Sequence, residues 1–419
     1  MRIRLLLPLV LMFVLTACNN PGGGAGSGSG DSVAAASGAS ASGVRREHRL
    51  GQFGYDLAWI RRYDSNYVVL QHGRSKVIVS PTYQGKVFTS CADGDSSSSF
   101  GWVNYDAFAH PLDPHMNAYG GEDRLWLGPE GGRFSLFFPP GAKMEFANWK
   151  TPAPFDTEPW DVTSHTDESV RLRKDMQLVN YAGTHLNLSI DRQISILDRE
   201  AIDSLLGLSA ANDSVQAVAY RTVNTLTNTG GQAWTEKTGM PCLWLLDMFP
   251  PSSKTTIIIP YAVGDGSKPA TTDYFGEIPA DRIKFDSGIL TFTADGKSRG
   301  KLGIHPLRAK SLAGSYDSVH HVLTIILFDV DPHARYLNQE WNTTKPPFSG
   351  DAVNAYNDGP LANGTQMGPF FELESVSPAA FLAPGAAQVH HHSVFHFMGS
   401  EAGLEGICRR VLGVGLPAH

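Results

Sequence analysis

Short strand-like segments recur along this chain, apolar residues alternating with polar ones in some and running together in others. The pattern predicts strands at residues 67–70, 76–79, 134–138, 186–190 and 218–223, then at 255–260, 288–293, 321–330, 370–375 and 389–398. Turn pairs such as Gly230-Gly231 and Asp295-Gly296 punctuate them. Helical periodicity is scarce: short helices are predicted around residues 98–108 and 201–208, and no long amphipathic stretch stands out. Many strands without interleaved helices predict an all-β class, with antiparallel sheets packed face to face. The Pro-rich residues 139–159 could pass for a boundary, yet Trp149 and Trp160 accompany them, and aromatics are unusual in a solvated hinge. One large domain over residues 44–419 is therefore expected.

The ends read differently. Residues 1–17 carry Arg2 and Arg4, an apolar run and then Thr16-Ala17, the layout of a secretory signal. That run is too short to span a bilayer stably. Leu15-Thr16-Ala17-Cys18 resembles a lipobox, which implies cleavage before Cys18 and lipid on its sulfur; the alternative is an ordinary signal with an incidental cysteine. Residues 18–43 are almost wholly Gly, Ser, Ala and Asn, a composition that makes a tether. The expected location is the bacterial cell envelope, with the membrane reached through lipid on Cys18. No acidic residue follows at Asn19 or Asn20, so the outer membrane is the default.

Composition narrows the partners. The formal net charge of −7, with 18% charged residues and no basic run, argues against nucleic acid. Aromatics at 10% suit stacking against sugar rings as well as a β-rich core. Setting Cys18 aside leaves Cys91, Cys242 and Cys408, which allow one bridge at most and lack zinc-site spacing. No cofactor is expected, and a monomer is the expected state.

The densest chemistry lies in residues 370–378. Glu372 and Glu374 share one strand face while Phe371 and Leu373 take the other, which sets two carboxylates about 7 Å apart. Such a pair on a partly buried sheet raises at least one pKa, the condition wanted for acid or base work on a sugar. On the wet side of a sheet the same pair would mean nothing. In residues 120–132, Arg124 can fork to a carboxylate or to adjacent hydroxyls, Trp126 can stack on a pyranose, and Glu130 adds a polar group. A buried Arg–Glu pair pinning a turn is the other reading. Asp358 can supply an acid, with Tyr356 and Asn357 binding hydroxyls, unless these side chains only cap their own loop. Trp160, Trp244 and Trp341 are either sugar platforms or core. His390, His392 and His396 share one face of the last strand and His391 the other. Two imidazoles two residues apart can share a metal, as can Asp329, Asp331 and His333; satisfied sheet histidines, or His392 alone bonded to substrate, are preferred, and no metal is assigned.

Leu373-Glu374-Ser375, then Leu382-Ala383-Pro384-Gly385, then the closing segment at residues 394–397 are similar to the end of galactose mutarotase-like proteins. The resemblance implies a β-supersandwich with Glu374 in the place of the general base. Residues 119–132 and 350–360 look like a branch of secreted bacterial lipoproteins with that fold. One departure matters: Thr227-Asn228 is followed by Thr229-Gly230-Gly231, where mutarotases place a catalytic histidine. The expectation is a membrane-anchored, carbohydrate-active protein with Glu374 as base, Glu372 or Asp358 as acid and Arg124 as anchor. It would act at or beside an anomeric centre, by epimerisation or by glycosidic cleavage. A non-catalytic glycan-binding lipoprotein is the second reading, and a structural envelope protein the third.

Overall fold

The computed structural model describes residues 48–208, 214–264 and 268–418. The signal segment, the tether and Cys18 lie outside the described residues. Strands run in chain order as Val68–His72, Ser75–Ser80 and Lys86–Cys91 (β1 to β3), Arg124–Gly128 (β4), and Asp161–His165, Ser169–Val179 and His185–Ile196 (β5 to β7). Val215–Asn228, Cys242–Phe249 and Thr255–Pro260 follow (β8 to β10), then Ile283–Asp286, Ile289–Thr293 and Gly300–Ile304 (β11 to β13). Leu312–Asp317, Val322–Phe328, Val353–Asn357, Phe371–Val376 and Ala387–Gly399 complete the set (β14 to β18).

These strands form two packed layers. One is a ten-stranded sheet in the order β11-β12-β10-β14-β15-β18-β8-β7-β6-β5. Opposite it lie a five-stranded sheet, β13-β16-β17-β9-β4, and a three-stranded one, β1-β2-β3. A backbone bridge between Val87 and Asp123 joins the two smaller sheets. The pairings within all three sheets are antiparallel, as the alternation requires. A shared core from Leu70 to Val394 fills the space between the layers.

Alternation assigns each residue of the last strand its surroundings. On β18, Val394 enters the shared core, while Phe395 and Phe397 point outward into a second apolar cluster. That outer cluster is covered by the helices Arg199–Leu206 and Glu401–Val411, which contribute Ile202, Leu206, Leu404, Ile407 and Cys408. Asp198 and Ser400 cap them, each accepting from the backbone N–H three residues on. The helix at Phe53–Tyr63 buries Phe53, Leu57 and Ile60 against Ile78 and Phe88 of the small sheet.

Two expectations are corrected, and one alternative is removed. Residues 134–138 form no strand: Phe134, Leu136, Phe137 and Phe138 are all buried, and a continuous apolar run cannot distinguish strand from packed loop. The helices at Phe53–Tyr63 and Glu401–Val411 were not foreseen: Phe53, Leu57 and Ile60, and Leu404, Ile407 and Cys408, keep helical spacing, but each stripe runs for only about three turns. The acidic face of β17 is not wet: every residue of β4, β9, β13, β16 and β17 is buried, so loops cover the side of this sheet turned away from the core. Cys91, Cys242 and Cys408 are free and buried. Among the described residues, no helix is long and apolar enough to cross a membrane.

Candidate functional site

Strand register in the five-stranded sheet brings distant residues into rows. Arg124 on β4 lies opposite Leu246 of β9, which lies opposite Glu374 of β17, itself opposite Asn354 of β16. The next row runs Met248, Glu372, Tyr356 and Lys301, and a third pairs Trp126 with Trp244. Directly paired residues point to the same side, so all of these share the loop-covered front face.

Two ion pairs form there. Arg124 Nη2 donates to Glu372 Oε1 at 2.5 Å, and Lys301 Nζ donates to Glu374 Oε2 at 3.0 Å. Trp244 Nε1 also donates to Glu374 Oε2, at 2.8 Å. Each cation lies against an indole, Arg124 at 5.1 Å from the Trp126 ring and Lys301 at 4.9 Å from that of Trp244. Two buried atoms, Glu374 Oε1 and Arg124 Nε, have no partner. A buried carboxylate oxygen without a donor is costly, and such groups concentrate where a ligand completes the bonding. The face is nearly closed: Glu374 is fully buried, while Arg124, Glu372, Trp126 and Lys301 keep 7–9% exposure.

Burial and neighbouring charge shift several groups of this face. Burial drives Glu372 up to about 7, opposed by Arg124 and assisted by the charge on Glu374. Burial works against the Lys301 ammonium, but Glu374, Glu130 and Glu372 outweigh it and hold its pKa above the ordinary value. Glu130 reaches this group from the loop after β4. Its carboxyl accepts from Trp341 Nε1 at 3.0 Å and is raised by burial, against the pull of Lys301. Lys86 also stands beside Arg124, and burial followed by that guanidinium lowers it to about 7. Asp358, just past β16, accepts from the Tyr356 hydroxyl at 2.8 Å and is raised by burial.

The expected residues therefore divide. Arg124, Trp126, Glu130, Tyr356, Asp358, Glu372 and Glu374 come together. Asn357 does not: its side chain turns to the loop at residues 296–298, accepting from Gly296 N and donating to Ser298 O. His392 is a second correction, for it projects from β18 into the space between the layers. There its Nε2 meets Asp247 Oδ2 at 2.8 Å and its Nδ1 meets Ser375 Oγ at 3.0 Å. His390 shares the same hydroxyl at 2.9 Å. Serine, histidine and aspartate follow in the order of a nucleophilic relay, yet all three are fully buried, so the chain organises the core. Arg192 with Asp123 at 2.9 Å and His396 with Glu122 at 3.0 Å extend this interior network. Trp160 is buried and spends its N–H on Pro154 O. Asn228 ties a turn through Gln232 O, Leu382 O and Gly230 N, and no histidine joins the front-face group described above. Among the described residues, no cluster of three or more His, Cys, Asp or Glu side chains could hold a metal ion.

Lys301 and Lys86 were not anticipated. Lys301 sits on a short strand between Gly300 and Gly303, with little side-chain pattern to read. The local signal is the glycine: a Cβ at Gly303 would lie 2.0 Å from Asp351 Oδ2, so Gly303 permits β13 to approach Asp351.

Fold and site together define a large antiparallel β-sandwich whose five-stranded sheet carries a paired acid and base cluster. The chain belongs to a family of unknown function, DUF6786, which matches it over residues 51–418. No curated protein matches it in sequence. It is similar in structure to a candidate aldose 1-epimerase from Escherichia coli K12, at 15% identity and a TM-score of 0.46, over 79% of this chain and 98% of that one. A galactose mutarotase-like protein from Lactobacillus casei aligns at 11% identity with the same score, over 79% and 99% of the two chains.

Proposed function

We propose that this protein is carbohydrate-active and works by carboxylate acid and base chemistry at or beside an anomeric centre. The observation that supports it most is Glu374. Its Oε2 is fixed by Lys301 and Trp244, its Oε1 is left without a donor, and a second carboxyl with an elevated pKa stands two residues away. In this reading Glu374 Oε1 takes the proton of an anomeric hydroxyl while Glu372, or Asp358, gives one to the ring oxygen. In glycosidic cleavage the acid protonates the leaving oxygen instead. Arg124 anchors hydroxyls through Nε, and Trp126 and Tyr356 complete the wall. The position of Glu374 in its Leu-Glu-Ser segment agrees with the place of the base in mutarotase-like proteins.

A second reading is a glycan-binding module without turnover. It draws on the full burial of Glu374 and on the lack of an imidazole in the front-face group. In either case we propose tethering to the bacterial envelope through lipid on Cys18, from the residues that precede it.

The test compares the protein with its Glu374→Gln variant on a panel of reducing sugars and glycosides. Anomeric exchange is followed by NMR, cleavage by chromatography and binding by calorimetry. Turnover lost in the variant with binding kept supports the enzyme. Binding without turnover in both supports the module, and neither binding nor turnover sinks the carbohydrate reading.

A further inference from the structure

Two exposed aromatic rings adjoin the front face, and each is immobilised by a group that leads back to it. Trp341 keeps 38% exposure although its ring is held on several sides. Its N–H is bonded to Glu130, Trp149 stacks on it at 6.0 Å and 26°, and Phe138 meets it edge-on at 5.1 Å. The charge of Glu130 in turn acts on Lys301, so the carboxyl that holds this ring is electrostatically linked to the Lys301–Glu374 pair. Phe275 keeps 49% exposure. The Arg299 guanidinium lies 3.8 Å from its centroid, and Tyr356 meets it at 6.0 Å in a T-shaped contact. Arg299 Nε donates to the Tyr356 hydroxyl at 3.2 Å, and Tyr356 lies opposite Glu372.

Single exposed aromatics are ordinary on protein surfaces. These two differ because both are pinned by charged partners belonging to the same cluster. A ring already held in place surrenders little entropy on binding, and its flat apolar face suits the C–H face of a pyranose. We infer that the ligand is a chain of several sugar units, with one unit over Glu372 and Glu374 and flanking units on Trp341 and Phe275. The inference rests on the carbohydrate reading and adds the class of substrate. A single sugar beside the acid cluster would leave both platforms unused.

The test is calorimetric titration with ladders of α-1,4-glucose, β-1,4-glucose and β-1,4-galactose units, from one to six units long. The expected result is affinity for at least one ladder that climbs with length up to about three or four units. Trp341→Ala and Phe275→Ala are each expected to weaken binding of the trimer about three- to tenfold and to leave the monosaccharide unchanged. Trp341→Phe keeps a ring and retains most of the trimer affinity, which separates a lost platform from a collapsed loop. Affinity independent of length, or alanine variants that bind the trimer like the parent, overturns the inference while leaving the carbohydrate reading intact. A protein that binds no ladder at any length, and no sugar on the panel above, removes both.

Discussion

The two faces of the five-stranded sheet are built from the same strands and do opposite things with buried charge. On the inner face Asp247, Ser375 and Asp123 meet His392, His390 and Arg192 from the ten-stranded sheet, in a network with no exposure to solvent. On the outer face Glu374 and Glu372 meet Lys301 and Arg124, and all of these but Glu374 keep slight exposure, 7–9%. Burial alone does not mark a site. Nor does incomplete bonding, since Asp247 Oδ1, Asp123 Oδ2 and His390 Nδ1 on the inner face also lack a partner; the outer face differs in keeping some exposure at Arg124, Glu372 and Lys301 beside its unpaired atoms.

The comparison breaks most visibly from the inside. Arg192→Met removes a fully buried cation from Asp123 and from the Asn224 side chain it donates to. The expected loss is about 3–5 kcal/mol of stability, read from the urea midpoint. On the outer face Glu374→Gln is expected to cut any sugar turnover by at least about 10²-fold, with a much smaller change in stability than the Arg192 variant. The same denaturation curves beside the rate assay check the contrast.

The pH dependence sharpens it further. Glu372 holds its proton up to about 7 in the folded protein, against 4.5 ordinarily, so between those values the folded state carries a proton the unfolded chain has released. Stability contributed by this group is present below the lower value and falls as pH rises through the window. Glu372→Gln is expected to flatten that part of the profile, measured as the difference in midpoint between pH 5 and pH 8. The smallest effect is expected at His391, one residue from His392 but on the solvent side of β18. Its pair with Asp329 is exposed, and His391→Ala is expected to cost less than about 1 kcal/mol. A larger loss would show that the two sides of that strand are not energetically distinct.

Much of the sheet was legible because the period of two is written into the residues themselves. The alternating residues 186–190 lie within the strand His185–Ile196, and the side-by-side placement of Glu372 and Glu374 followed from spacing alone. Which side of the strand would be covered was not legible, since loops from distant parts of the chain decide it. Tyr356 and Arg124 could be nominated because each lies in a dense polar motif. Lys301 could not, because its partner lies 73 residues away and the strand that carries it has glycines on either flank. His392 was misassigned for a related reason. Alternation placed it correctly with His390 and His396, but not which layer that face would meet.

Glu374 and Ser375 are consecutive, so one peptide unit couples the outer acid to the interior relay. Altering specificity by reshaping β17 would disturb the core at once, whereas the rings at Trp341 and Phe275 hang on loops outside the strands. Diversification within such a scaffold should therefore run through its rim, with the floor held constant as new ligands are accommodated.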